Sequence, residues 1–185
     1  MTKKLFTILI LAFLAAQPQT WAQKASVSTN LVEYANLLTL NAEGSYALGQ
    51  HWSALAEVRY NPFSYGSDDD EFRYRQRTVG AGVRFWPWHV YSGWWFGGRM
   101  QYQEYNTGGI SSDRTQEGDR YGVGASGGYT HMLLKHLNLE FGLGLWGGLD
   151  KYVVYSCPTC GLTEESGRKF FILPNEFLVG LSYIF

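Results

Sequence analysis

From Val27 to Phe185, apolar and polar residues alternate with a period of two, and no segment of similar length holds the 3.6-residue period of an amphipathic helix. The stretch from Leu137 to Leu149 shows the pattern. Leu137, Leu139, Phe141, Leu143, Leu145 and Leu149 occupy odd positions, while Asn138, Glu140, Gly142, Gly144 and Gly148 occupy even ones. Successive side chains of a strand point to opposite faces of its sheet, so one face of this segment is apolar and the other small or polar. Eight such segments occur, at residues 26–34, 38–48, 52–61, 73–86, 93–105, 119–132, 137–152 and 169–185. They predict an all-β fold of eight antiparallel strands.

The connections alternate in length. Residues 49–51, 87–92 and 133–136 are short turns, whereas 62–72, 106–118 and 153–168 are long and polar; the connection near 33–37 is shorter than its partners. Short periplasmic turns and long extracellular loops are the layout of an OmpA/OmpX-like transmembrane β-barrel. A soluble eight-stranded barrel would alternate too, so the polar face has to decide. That face carries Thr78, Gly80, Gly82 and Arg84 on one strand and Gly122, Gly124, Ser126 and Gly128 on another. Small residues with isolated charges suit a crowded, narrow lumen rather than a water-exposed surface. Aromatic spacing points the same way. Trp52 and Tyr60, Trp94 and Tyr102, Tyr121 and Tyr129, and Phe177 and Phe185 are same-face pairs eight residues apart. Eight tilted residues rise about 20 Å, close to the roughly 25 Å apolar band between two aromatic girdles.

Composition adds the compartment and removes some partners. Lys3 and Lys4, an apolar run of 12 residues from Leu5 to Ala16 and a small-residue exit at Ala22 read as a signal peptide over residues 1–22, leaving 23–185 as one barrel domain. A net charge of −1 argues against a nucleic-acid partner, and 17% aromatic residues with 22 glycines is an unusual pair of excesses for a soluble domain. The chain closes on Phe177, Val179, Leu181, Tyr183 and Phe185 along one face. That ending resembles the C-terminal signal read by the outer-membrane barrel assembly machinery.

Candidate chemistry concentrates on the lumen face. Glu43, Glu57, Glu140 and Glu176 share it with Arg59, Arg84 and Arg99, beside Gln101 and Gln103. Charges removed from bulk water need partners, so these predict a cross-barrel ion-pair network rather than the paired carboxylates of a glycosidase. His51, His89, His131 and His136 all fall at the short turns. A lipid A-modifying enzyme needs its base near the outer rim, so the reading is non-enzymatic, with no catalytic residue. Arg73, Arg75 and Arg77 continue an outward face past the outer edge, where guanidinium forks would match lipopolysaccharide phosphates. The acidic runs Asp68–Glu71 and Asp113, Glu117 and Asp119 lack EF-hand spacing, so no metal or other cofactor is implied.

The only cysteines, Cys157 and Cys160, lie in the last long loop. Two thiolates do not complete a tetrahedral zinc site, the histidines are at the other end, and no βαβ setting supports thioredoxin-like chemistry. Export through an oxidising compartment favours a local disulfide over a reduced pair.

The stretches "STNLVEYANLLTLNAEGSYAL", "RYNPF", "EYNTGGI", "GVGASGGYTHML", "HLNLEFGLGLWGG", "CPTCG" and "LVGLSYIF" resemble an uncharacterised family of Bacteroidetes outer-membrane barrels, a domain of unknown function with a CPxCG loop motif. The resemblance spans nearly the whole mature chain. It implies an OmpA-like barrel in the outer membrane and, because members occur near fimbrial genes, a surface or fimbrial protein partner. The expected function is structural or interactive: envelope integrity, loop-mediated adhesion or fimbria-associated binding. The alternatives are a narrow channel and, further off, a lipid A-modifying enzyme.

Overall fold

A computed structural model describes residues 24–65, 72–108, 114–156 and 162–185, apart from the side chains of Tyr65 and Glu176. It contains β1 (Ala25–Asn30), α1 (Leu31–Ala35), β2 (Leu40–Ala47), β3 (Trp52–Asn61), β4 (Ser64–Tyr65), β5 (Phe72–Phe85), β6 (Gly93–Gly108), β7 (Thr115–Leu134), β8 (Leu137–Tyr155) and β9 (Thr163–Ile184). Every pairing is antiparallel, and β1 pairs with β9 as well as with β2. The β3–β5 pairing completes a closed ring of eight strands. The two residues of β4 pair with Arg73 and Phe72 and continue the β3 ladder beyond Pro62, which has no N–H to donate.

The hydrogen-bond ladder is staggered. From Ser28 it runs through Glu43, Glu57, Gly80, Gln101, Gly122 and Gly148 to Phe171, although the direct neighbour of Ser28 in β9 is Ser182. Such an offset is the shear of a closed barrel and tilts its strands by roughly 35–45°. The ladder therefore climbs towards the loop end on its way from β2 to β9. Strand lengths follow this climb, from 6 residues in β1 and 8 in β2 to 20, 19 and 22 in β7, β8 and β9. The result is a low wall on one side and a tall wall on the other.

The exterior is apolar around the ring. Leu40, Tyr46, Trp52, Val58, Val83, Trp94, Met100, Val123, Leu143 and Phe177 all face outward and are exposed. The lumen at the short-turn end is packed instead. Trp86, Val90, Tyr91, Trp95, Leu178 and Ile184 form the buried cluster, because the turn between β5 and β6 folds up into the barrel mouth. Trp86 Nε1 donates to Ser53 Oγ at 3.0 Å, and Tyr91, held at φ +65°, receives Asn138 Nδ2 on its carbonyl at 2.8 Å. Gly128 and Gly142 are the register neighbours that make room for Trp95: a Cβ would stand 2.5 Å from the indole at Gly128 and 2.9 Å at Gly142.

The structure departs from the sequence expectation in three places. The segment expected as a strand to residue 34 ends at Asn30, whose side chain accepts from Val32 N at 3.1 Å and caps α1. The long loops are largely strand, since pairing persists to Gly108 and Thr115 in one hairpin and to Tyr155 and Thr163 in the next. Finally, β9 carries a bulge: Glu176 pairs with Gly144 but Pro174 pairs with Leu145. The extra residue, Asn175, switches the parity of the strand, so Leu178 and Ser182 point inward below it and Lys169 and Phe171 point inward above it.

Candidate functional site: the lumen and its outer vestibule

Alternation along β2, β3, β5, β6 and β8 turns a set of charges into the middle of the lumen. Arg84 sits between two carboxylates, 2.9 Å from Glu43 and 3.3 Å from Glu140, with its guanidinium 4.3 Å from the centre of the Trp95 ring. Arg99 meets Glu57 at 2.6 Å, and Arg59 reaches both Glu57 at 3.2 Å and Glu33 at 3.3 Å. Arg84, Arg99, Glu57 and Glu140 are all nearly fully buried. Six of the seven lumen charges singled out in the sequence thus meet in two ion-pair groups, Glu43–Arg84–Glu140 and Arg99–Glu57–Arg59, at the middle of the lumen; the side chain of the seventh, Glu176, lies outside the described residues. Buried charges at these separations are stable as opposed pairs and costly if left alone. The layer and the aromatic plug beneath it cross the lumen at two successive levels.

Above this layer lies a second cluster. Asp150, fully buried, accepts from Tyr105 Oη at 2.9 Å and from Arg120 Nε at 3.2 Å, and Lys169 Nζ stands 3.9 Å away. Arg120 also lies 3.8 Å over the Tyr105 ring, and Trp146 packs edge-on against Phe171 at 4.6 Å. None of Glu33, Tyr105, Arg120, Asp150 and Lys169 was among the expected lumen residues. Asp150 shares the parity of Glu140, so its inward direction was legible. Lys169 faces inward only because of the bulge, and Glu33 reaches the lumen only because α1 folds over it.

The segment of α1 is fastened across the low wall. Asn30 Nδ2 donates to Phe177 O at 2.9 Å, the Thr29 and Tyr34 hydroxyls lie 2.8 Å apart, and Asn61 Nδ2 donates to Leu37 O at 2.9 Å. Leu37 and Leu38 both take positive φ, a conformation that disfavours side chains with a Cβ. Between α1 and the tall wall opens a cavity of about 290 Å³ whose lining includes Glu33, Arg59, Gln76, Gln101, Gln103 and Trp146.

The remaining residues of interest are placed as follows. His51, His89 and His136 lie at the short turns, where each Nδ1 is within 3.0 Å of a backbone carbonyl, of Trp86, Val90 and Ile184 respectively. His131 faces outward near the same end. The girdle residues Trp52, Tyr60, Trp94, Tyr102, Tyr121, Tyr129 and Phe177 are exposed on the exterior, and Phe185, half-buried, packs on Tyr183 at 5.0 Å. Arg73, Arg75 and Arg77 share the outward parity of β5; Arg75 Nε donates to Ser64 Oγ at 2.9 Å and Arg77 lies 3.7 Å from Glu104. Glu117 and Asp119 belong to β7 rather than a loop and accept from the hydroxyls of Tyr155 at 2.5 Å and Tyr102 at 2.8 Å. Glu117 beside Tyr155, and Glu165 beside Tyr152, hold those phenols above their ordinary range, chiefly through the hydrogen bond to the carboxylate. Cys157 and Cys160, Asp68–Glu71 and Asp113 lie outside the described residues, as does the segment 1–22.

One boundary runs across the tall wall. Val79, Tyr102, Tyr121, Leu149 and Phe170 are neighbours in a single outward row, and the next outward row is Arg77, Glu104, Asp119, Lys151 and Arg168. On five consecutive strands the exterior changes from apolar to charged at the same step of the ladder.

A family model described as a protein of unknown function (DUF3575) matches residues 5–185, and the chain belongs to that family. No curated protein and no solved structure matches it.

Proposed function

We propose that this member of the DUF3575 family is an outer-membrane barrel that performs no reaction and presents its tall wall to a protein partner at the cell surface. The observation that carries the reading is the rise of β7, β8 and β9 past the charged row: the strands stay paired from Asp119 to Thr115, from Lys151 to Tyr155 and from Arg168 to Thr163. An apolar exterior that gives way to charges on each of these strands fits passage out of a bilayer, the change standing higher on β9 than on β5 because the ladder climbs, and aromatic residues beside it fit the interface. Paired strands beyond it make a stiff stalk for the 109–113 and 157–161 tips rather than a set of loose loops.

Above Asn175, whose carbonyl accepts from Arg59 Nη1, β9 has a strand neighbour on the β8 side alone among the described residues. An unpaired strand edge at a surface is a template for strand addition by another chain. The test replaces residues 152–167 with a two-residue turn and repeats surface cross-linking on intact cells. Loss of the cross-linked partner, with heat-modifiable migration of the barrel retained, supports the reading; an unchanged set of cross-links sinks it.

Lipopolysaccharide is the lipid partner of this reading, gripped by Arg73, Arg75 and Arg77 on the outward face of β5. Its check is separate: the triple alanine variant should co-purify with less lipopolysaccharide, and a wild-type amount removes the assignment. The channel alternative gains no support from a lumen crossed by an ion-pair layer and an aromatic plug.

A further inference from the structure

On the exterior of the tall wall, the charged row above the apolar belt runs Arg77, Glu104, Asp119, Lys151 and Arg168 from β5 to β9. Its two ends differ in how their cations are held. On the β5 side the guanidiniums already have partners in the protein: Arg75 Nε donates to Ser64 Oγ at 2.9 Å, and Arg77 lies 3.7 Å from Glu104. At the other end, Lys151 and Arg168 stand directly opposite one another across β8 and β9. Both are exposed, and neither lies within 4.0 Å of a carboxylate among the described residues. Lys151 Nζ has only the Tyr121 ring beside it, 5.5 Å from its centre.

The acids of the same face are engaged elsewhere. Tyr102 Oη donates to Asp119 at 2.8 Å and lies 3.2 Å from Glu104, so both carboxylates gather on the β6 side. Glu117 accepts from Asn106 Nδ2 and from the Tyr155 hydroxyl, and Glu164 lies 3.1 Å from Arg114. Like charges directly opposite on a sheet destabilise it, so the Lys151 and Arg168 pair gains from an anion supplied from outside. With Cβ atoms about 5 Å apart, the two can meet one phosphate group: the guanidinium offers a fork for two oxygens and the ammonium a point charge.

The surface below the pair narrows the choice of anion. One outward step down the strands stand Leu149 and Phe170, and Ile172 follows; Phe170 is 85% exposed and Ile172 79%. A phosphate joined to acyl chains would use both surfaces at once, whereas a free phosphate would use only the cations.

We propose that Lys151 and Arg168 form a binding site for the phosphate group of a lipid of the outer leaflet, whose acyl chains lie along Phe170 and Ile172. The site rests on the reading of this exterior as membrane-facing, and it is three strands away from the arginines of β5.

The experiment uses the full chain folded in dodecyl maltoside and titrates it, by native mass spectrometry, with bis-phosphorylated lipid A. The same lipid stripped of its phosphates and inorganic phosphate alone are the comparisons. Saturable binding of the phosphorylated lipid is expected, with Kd raised about tenfold by Lys151→Gln with Arg168→Gln, the loss of a charge-assisted contact. Arg168→Lys, which keeps the charge without the fork, should fall between. The same tenfold difference is expected in a chain that also carries Arg73→Ala, Arg75→Ala and Arg77→Ala, where β5 contributes nothing. Heat-modifiable migration checks that each variant is folded, and the two single glutamine variants carry the comparison if the double one is not. The site is overturned if the folded variants bind as tightly as their parent chain, if the dephosphorylated lipid binds equally well, or if inorganic phosphate binds as tightly as the lipid. A wild-type chain without heat-modifiable migration would remove the membrane barrel and the site with it, whereas a normally migrating barrel that ignores the phosphates removes the site alone.

Discussion

At the short-turn end of the lumen, Trp86, Tyr91 and Trp95 fill the space by shape, over glycines that clear a path for the indole. At the loop end, Arg120, Asp150 and Lys169 fill it by charge and leave a cavity beside them. Between the two, Arg84 touches both regimes, bonded to Glu43 and Glu140 on its edges and stacked on Trp95 through its face. The comparison teaches that a narrow barrel can be closed in two ways with different costs. An aromatic plug loses packing when it is trimmed, while a charge layer loses its compensation when one member is removed. The first kind of damage is local, whereas the second spreads to every partner of the missing charge.

The largest expected effect is at the junction. Arg84→Met removes the guanidinium that Glu43 and Glu140 share in the lumen and should cost about 3–5 kcal/mol, read as a lowered urea midpoint of tryptophan fluorescence. Adding Glu43→Gln and Glu140→Gln to that variant should recover part of the loss; no recovery would show that Arg84 acts by packing, like the plug. Next comes Gly128→Leu, where the new side chain meets the Trp95 ring and the Phe141 carbonyl. Its expected cost is about 1–3 kcal/mol by overpacking, and Trp95→Phe in the same chain should relieve some of it.

A smaller effect is expected at the loop end. Arg120→Met leaves Asp150 with Tyr105 and Lys169, so the loss should be about 1–2 kcal/mol, clearly below that of Arg84→Met in the same assay. Equal losses would erase the distinction between the buried layer and the vestibule. The smallest effect belongs to the exterior. Arg168 is exposed in the charged row above the apolar belt, so Arg168→Gln should move stability by no more than about 0.5 kcal/mol in detergent. A large loss there would mean that the tall wall is packed against something.

The legibility of this architecture in the sequence divides along the same line. Period-two alternation identified the eight strands, their directions and the parity of Glu43, Glu57, Arg59, Arg84, Arg99 and Glu140, because each side chain's face follows from its strand position alone. Connection length marked the short-turn end. The same signal failed wherever one residue broke the count. Asn175 adds a bulge that no alternation reveals in advance, and it brings Lys169 to Asp150 and Phe171 to Trp146. Asn30 ends a strand that the pattern would have continued, and the cap it forms places Glu33 on Arg59. Polar loops that looked irregular are strands, since polarity above an apolar belt reflects water on both faces rather than a lack of pairing.

The sequence by itself determined that this chain is a barrel with an apolar outside, a small and charged inside, and unequal ends, because those properties depend on which side of a strand each residue occupies. Which charge meets which was decided by the tertiary structure alone. Pairs such as Arg84 with Glu140, or Arg99 with Glu57, lie 56 and 42 residues apart in the chain and meet across the lumen. Their meeting depends on the shear of the closed ring, which no single strand encodes. The vestibule likewise exists because the low wall stops at Asn30 while the tall wall continues, a difference in height that appears only once β9 has closed on β1.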